Sequence, residues 1–70
     1  MRYAVVIEPQ ASNYSAYVPD LPLCVATGTT VEQVADRIRE AIAFHLVGLR
    51  EDGLSVPPPS SLVSYVDVAV

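Results

Sequence analysis

Between Val31 and Leu49 apolar side chains return every three or four residues, at Val31, Val34, Ala35, Ile38, Ala41, Ile42, Leu46 and Leu49, and no proline interrupts them. That spacing lines one face of an α-helix and suits no strand, so more than a quarter of this 70-residue chain is a single amphipathic helix. Thr30 reads as its N-cap, with Val31, Glu32 and Gln33 as the first helical residues; its hydroxyl can accept from the first-turn amides, and Gln33 would complete a capping box. Thr29 with Glu32 gives the alternative register. Gly53, after Arg50-Glu51-Asp52, reads as the residue just past the helix end, and Pro57-Pro58-Pro59 prevent extension.

The rest of the chain is β-prone. Arg2 to Glu8 is rich in β-branched and aromatic residues and is closed by Pro9, and Tyr14 to Val18 follows a loop-like stretch, so the two read as an antiparallel hairpin. In the second strand Tyr14, Ala16 and Val18 share one face, and Ser15 and Tyr17 the other. Pro19 and Pro22 then force extended or turn geometry on the residues before them, making Val18 to Pro22 a rigid corner. Leu23 to Thr27 forms a short third strand, and Gly28 supplies a backbone angle that lets the chain turn into the helix. Leu54 to Ser61 is a proline-stiffened connector. It leads to Leu62 to Val70, read as a fourth strand with Ser64, Val66, Val68 and Val70 on one face and Val63, Tyr65, Asp67 and Ala69 on the other. The resulting fold class is α+β, in the order β-β-β-α-β: a three-stranded antiparallel sheet, one long helix packed on it, and a C-terminal strand.

A single domain over residues 1–70 is expected, and it is small enough to bury only about 60% of the surface its unfolded chain exposes. Self-association is therefore expected. One cysteine excludes an internal disulfide and a multi-cysteine zinc site as alternative supports. A long apolar strand at a sheet edge invites pairing with another copy, which nominates Val63, Tyr65, Val66 and Val68 as the self-association surface.

Charge limits the partners. Four arginines, no lysine and eight carboxylates leave a net charge of −4, which works against phosphate-backbone binding and suits a basic protein partner. Glu32, Asp36 and Glu40 lie four residues apart, so they form an acidic stripe on the helix that either is an ordinary solvated face or docks such a partner. Tyr3, Tyr14, Tyr17 and Tyr65 lack the interleaved cations of a single-strand nucleic-acid surface. The chain has no charged leader followed by a long apolar stretch and no uncharged span of roughly 18 residues, which points to a soluble cytoplasmic protein without membrane contact.

Reactive constellations are sparse. Cys24 and His45 are the only thiol and imidazole, and no third orienting group stands at a recognisable spacing. Cys24 reads as a small buried hydrophobe and His45 as a partly buried histidine with a local hydrogen bond. Glu8, Asp20 and Asp67 are isolated from one another along the chain, and no phosphate-cradling glycine loop or paired zinc ligand is present. No cofactor, metal ligand or catalytic residue is assigned.

The residues Tyr3-Ala-Val-Val-Ile-Glu8, Tyr14-Ser-Ala-Tyr-Val-Pro-Asp-Leu-Pro-x-Cys24, Ala26-Thr-Gly-x-Thr30-x-Glu32, Arg39-Glu-Ala-Ile42 and His45-Leu-x-Gly-Leu-x-Glu-Asp-Gly53 closely resemble the HicB family of type II antitoxins. The resemblance covers nearly the whole chain. It implies a module that looks like a truncated RNase H fold without that fold's catalytic carboxylates. It also implies self-association and inhibition of HicA, a small basic mRNA-cleaving toxin whose catalytic histidine the antitoxin masks. Family members commonly carry glycine where this chain has Leu23, and usually a C-terminal DNA-binding domain. None is expected here after Val70, so operator binding is not carried over. The other readings are a metal-dependent nuclease on an RNase H-like scaffold and an orphan oligomeric regulatory module.

Overall fold

A computed structural model describes residues 1–70. Three strands, β1 (Val6–Pro9), β2 (Tyr14–Tyr17) and β3 (Val25–Gly28), precede one helix, α1 (Val31–Glu51). The sheet is antiparallel throughout, in the order β1-β2-β3, with Ile7 opposite Ala16 and Ala16 opposite Ala26. Side chains alternate across each strand, so this row faces α1, while the neighbouring row Val6-Tyr17-Val25 faces away from it. The expected α+β class and strand order up to the helix are thereby observed.

The core lies between sheet and helix and consists of Ala16, Val18, Leu21, Cys24, Val34 and Ile38. Tyr3, Val5, Ile7, Tyr14, Ala26, Ala41, Ile42 and Leu46 pack around it half-buried. The Val18 to Cys24 corner is two consecutive tight turns. The Leu21 amide donates to the Val18 carbonyl at 3.1 Å, and the Cys24 amide to the Leu21 carbonyl at 3.2 Å. Pro19 and Pro22 each occupy the second position of a turn, where their fixed φ is pre-set. Leu21 is driven into the core between them, and Leu23 is left at φ +66°, almost wholly exposed. This is the left-handed conformation that the second turn requires at its third position, normally supplied by glycine.

Gly28 has a different role from the one expected. It is the last residue of β3, it is buried, and its φ is not positive. A Cβ at this position would lie 2.8 Å from the Val34 backbone nitrogen and 3.0 Å from its Cα. Glycine is needed because the helix backbone rests directly on the strand, not because the chain must turn.

The helix ends follow local chemistry. The Gln33 amide donates to Thr30 Oγ1 at 3.0 Å, which makes Thr30 the N-cap. The Gln33 side chain reaches one residue further back than a capping box: its Oε1 accepts from the Thr29 amide at 2.7 Å and from the Thr29 hydroxyl at 3.0 Å. At the other end Gly53, at φ +69°, donates to the Arg50 carbonyl and Leu54 to the Leu49 carbonyl. Together these form a Schellman motif.

Beyond the helix the connector is tied back to the sheet end of the molecule. The Tyr3 hydroxyl donates to the Pro57 carbonyl. Asp20, in the proline corner, accepts four bonds: Oδ2 takes the Ser60 and Ser61 amides, each at 2.9 Å, and Oδ1 takes the two serine hydroxyls at 3.2 and 2.8 Å. Donors aimed at a carboxylate favour its charged form, and the Ser61 and Ser60 bonds hold Asp20 at a pKa of about 2 against its ordinary 3.8.

The expected fourth strand is not formed. Residues 62–70 pair with nothing in the chain, and Leu62 and Tyr65 are fully solvated. A β-prone sequence only records that a segment fits a pleated neighbour, and beyond the clamp at Ser60 and Ser61 this one makes no backbone ladder with any strand. The molecule measures 49 × 27 × 16 Å, and its radius of gyration of 13.8 Å exceeds the roughly 11 Å of a compact chain this long.

Gly28→Ala is expected to destabilise the fold by about 1–3 kcal/mol in urea unfolding, since the clash is with backbone and only displacement of the helix relieves it. Leu23→Gly is expected to raise the urea midpoint by about 0.5–1 kcal/mol equivalent, because relief of the left-handed strain exceeds the entropy of the added glycine and no packed contact is lost. Asp20 has its folded-state pKa below its unfolded one, so the clamp's contribution is complete above about pH 4 and disappears as pH falls through about 2. An NMR titration of the Asp20 side-chain carboxyl carbon is expected to give a midpoint near 2, with Ser60 and Ser61 amide protection lost over the same interval.

Candidate functional site

Helix α1 presents two unlike faces. Val34 and Ile38 are buried against the sheet, and on the far side Glu32, Asp36 and Glu40 are all exposed, one above another along the axis. The predicted acidic stripe is thus brought together by the helix itself. Arg39 Nη1 meets Asp36 Oδ1 at 3.3 Å, in a solvated pair that adds little to stability but offsets one charge of the three. Arg37 is turned away from the stripe and donates to the Thr27 carbonyl on the open edge of β3 at 3.0 Å. Glu32, in the first turn, also complements the positive end of the helix.

The second exposed surface is apolar. Val63, Tyr65, Val66 and Val68 all stand in solvent on the C-terminal arm, residues 62–70, with Leu62 and Val70 extending the same surface. Val63 lines a cleft with Arg2, Tyr3 and Ala4, and Tyr65, Val66 and Val68 are more exposed than it is. A third feature has little signal in sequence: Val25 and Tyr17, neighbours on the outer sheet face, are exposed, with Leu23 nearby. The pattern of alternation shows which residues leave the core but not that nothing covers them.

The groups that would carry chemistry are dispersed. Cys24 is buried just before β3, and burial pushes its thiol pKa up, which opposes formation of the thiolate a nucleophile requires. His45 is half-buried on the second half of α1. Glu8 is at the end of β1, Asp20 is held by Ser60 and Ser61, and Asp67 is on the arm. No group of three or more His, Cys, Asp or Glu side chains is placed to hold a metal ion. No helix is long and apolar enough to cross a membrane. What the arrangement offers is surface for contact: an acidic face, and an apolar arm with unpaired backbone.

Asp20 was not distinguishable as a tether from sequence. It is separated from Ser60 and Ser61 by 40 and 41 residues, and nothing local relates them. Its position inside the Pro-Asp-Leu-Pro corner is the only hint, since that corner holds the carboxylate at a fixed place on the surface.

Comparison with known proteins agrees with this picture. A protein encoded in the rep-hol intergenic region of Haemophilus phage HP1 is 33% identical over 67 residues, covering 96% of this chain, which spans about half (50%) of the phage protein's length. A UPF0150 protein of Helicobacter pylori J99 is 34% identical over 65 residues, covering 91% of this chain and 90% of its own. Among solved structures, a chain of the HicA3 and HicB3 toxin-antitoxin complex superposes with a TM-score of 0.73 at 28% identity, over 84% of this chain and 70% of that one. Residues 3–69, nearly the whole sequence, match the family described as the HicB_like antitoxin of bacterial toxin-antitoxin systems. The three-stranded sheet with its single long helix, the Pro-Asp-Leu-Pro corner and this match together establish that the chain belongs to the HicB-like antitoxin family.

Proposed function

We propose that the protein is an antitoxin that binds and inhibits a small, basic, RNA-cleaving toxin of the HicA type in the cytoplasm, and that it catalyses no reaction itself. The observation that carries this reading is the family match over residues 3–69, supported by the likeness to a chain of a complex between a HicA and a HicB protein. Physical chemistry points the same way. A net charge of −4, with Glu32, Asp36 and Glu40 exposed on one helix face, accelerates and orients encounter with a cationic protein. The same field repels RNA, so the chain protects transcripts by covering the toxin and does not compete for them. Residues 1–70 act here as one HicB-like domain, and no operator contact is assigned to them.

Co-expression with candidate small, basic HicA-like proteins, followed by affinity capture and an RNA-cleavage assay, is expected to yield a complex in which cleavage is suppressed. Capture of no complex, or a complex that cleaves RNA at the free toxin's rate, refutes the reading. Neutralising the stripe with Glu32→Gln, Asp36→Asn and Glu40→Gln together is expected to weaken the complex roughly tenfold at low salt, chiefly through association rate, with the difference shrinking as salt rises.

A further inference from the structure

The two outer strands of the sheet turn different backbone groups outward. The Val18 amide donates to the Cys24 carbonyl at 3.3 Å, in the register that pairs Ala16 with Ala26 and Tyr14 with Gly28. Antiparallel pairs alternate between bonded and non-bonded, so Cys24, Ala26 and Gly28 direct their backbone groups at β2, and Val25 and Thr27 direct theirs away from it. On β1 the same alternation turns Ile7 and Pro9 outward. Pro9 has no amide hydrogen, so that edge is already blunted by its own sequence.

The edge of β3 has no such interruption. Val25 and Thr27 each offer a donor and an acceptor, and the outer face beside them is apolar, with Val25 and Tyr17 exposed next to each other. An unpaired edge of this kind invites strand addition, and proteins ordinarily blunt it with a proline or a charge, most often lysine, on the strand itself. Val25-Ala-Thr-Gly28 contains neither, and the chain has no lysine at all. What stands at the edge comes from the helix, which packs chiefly on β3. Arg37 lies three residues before Glu40 yet makes no ion pair with it; its Nη1 reaches over the strand and donates to the Thr27 carbonyl at 3.0 Å. The guanidinium thus holds the place that the amide of an added strand would take.

We propose that Arg37 is an edge guard: its guanidinium occupies the Thr27 carbonyl and sets a cation beside β3, which keeps the β3 strands of two copies from pairing into one continuous sheet. Without the guard, Val25 and Thr27 of one copy can exchange hydrogen bonds with the same strand of another, and the exposed Val25 and Tyr17 rows then form one apolar face. With it, two approaching edges bring two guanidinium groups against one strand pair, and each must give up its bond to Thr27 before the ladder closes. Arg37 therefore acts by closing a surface, and its side chain adds nothing to the buried core.

The chain alone, without any toxin, suffices for the test. Arg37→Met keeps an unbranched stem and loses both donor and charge. It is expected to retain the helical circular dichroism of the parent while its mass by light scattering rises to roughly twice the parent's or more at equal concentration. Amide hydrogen exchange at Val25 and Thr27, fast in the parent, is expected to slow by about tenfold or more in the variant as concentration increases. Adding Val25→Pro to Arg37→Met removes an outward donor without touching the β2 ladder and is expected to restore the parent's mass. Arg37→Lys, which keeps a cation and a donor at the edge, is expected to behave as the parent does. Unchanged mass and exchange in Arg37→Met, association that survives Val25→Pro, or association of Arg37→Lys equal to that of Arg37→Met overturns the guard. Loss of the helical signal in Arg37→Met assigns the residue to holding the fold and overturns it as well.

Discussion

The helix can rest on the sheet only because residue 28 has no side chain. With Gly28 at the end of β3, the α1 backbone at Val34 comes within the distance a Cβ would need, and Val34 becomes fully buried. This approach fixes the height and direction of the helix from its first turn, before any side-chain packing further along can contribute. Thr30 and Thr29 hold that first turn in place through Gln33, so the close contact and the cap lie within six residues of one another. Everything else in the core, including Leu21 thrust inward by its two flanking prolines, packs into the space this contact defines.

A consequence of size follows from that placement. Only seven of the 70 residues are buried, and much of the helix's apolar stripe goes beyond the three strands beneath it. The exposed apolar surface includes the second half of α1, the arm and the outer sheet face at Tyr17, Leu23 and Val25, while Glu32, Asp36 and Glu40 stand on the helix's far face. Such segregation leaves apolar and charged surface free for contact, in a chain that belongs to an antitoxin family.

The chemical groups agree with a contact role. The single thiol is buried with its pKa raised, the carboxylates are spread over strand end, corner, helix and arm, and the one carboxylate with several partners, Asp20, spends them on tethering the chain.

Local chemistry made the helix legible from sequence: an uninterrupted apolar period, a threonine cap and a Gly53 terminus act over a few residues, and all three occur where spacing places them. The alternation that put Tyr14, Ala16 and Val18 inward is equally local, and the acidic stripe follows from helical spacing alone. Tertiary structure decided the rest. Gly28 was legible as necessary, but whether for a turn or for a close approach depends on where a helix six residues later lies. Leu62 to Val70 has every mark of a strand, yet a strand exists only where an edge receives it, and within one chain none does. The Asp20 tether joins residues 40 apart, and a separation of that kind leaves no periodicity to read.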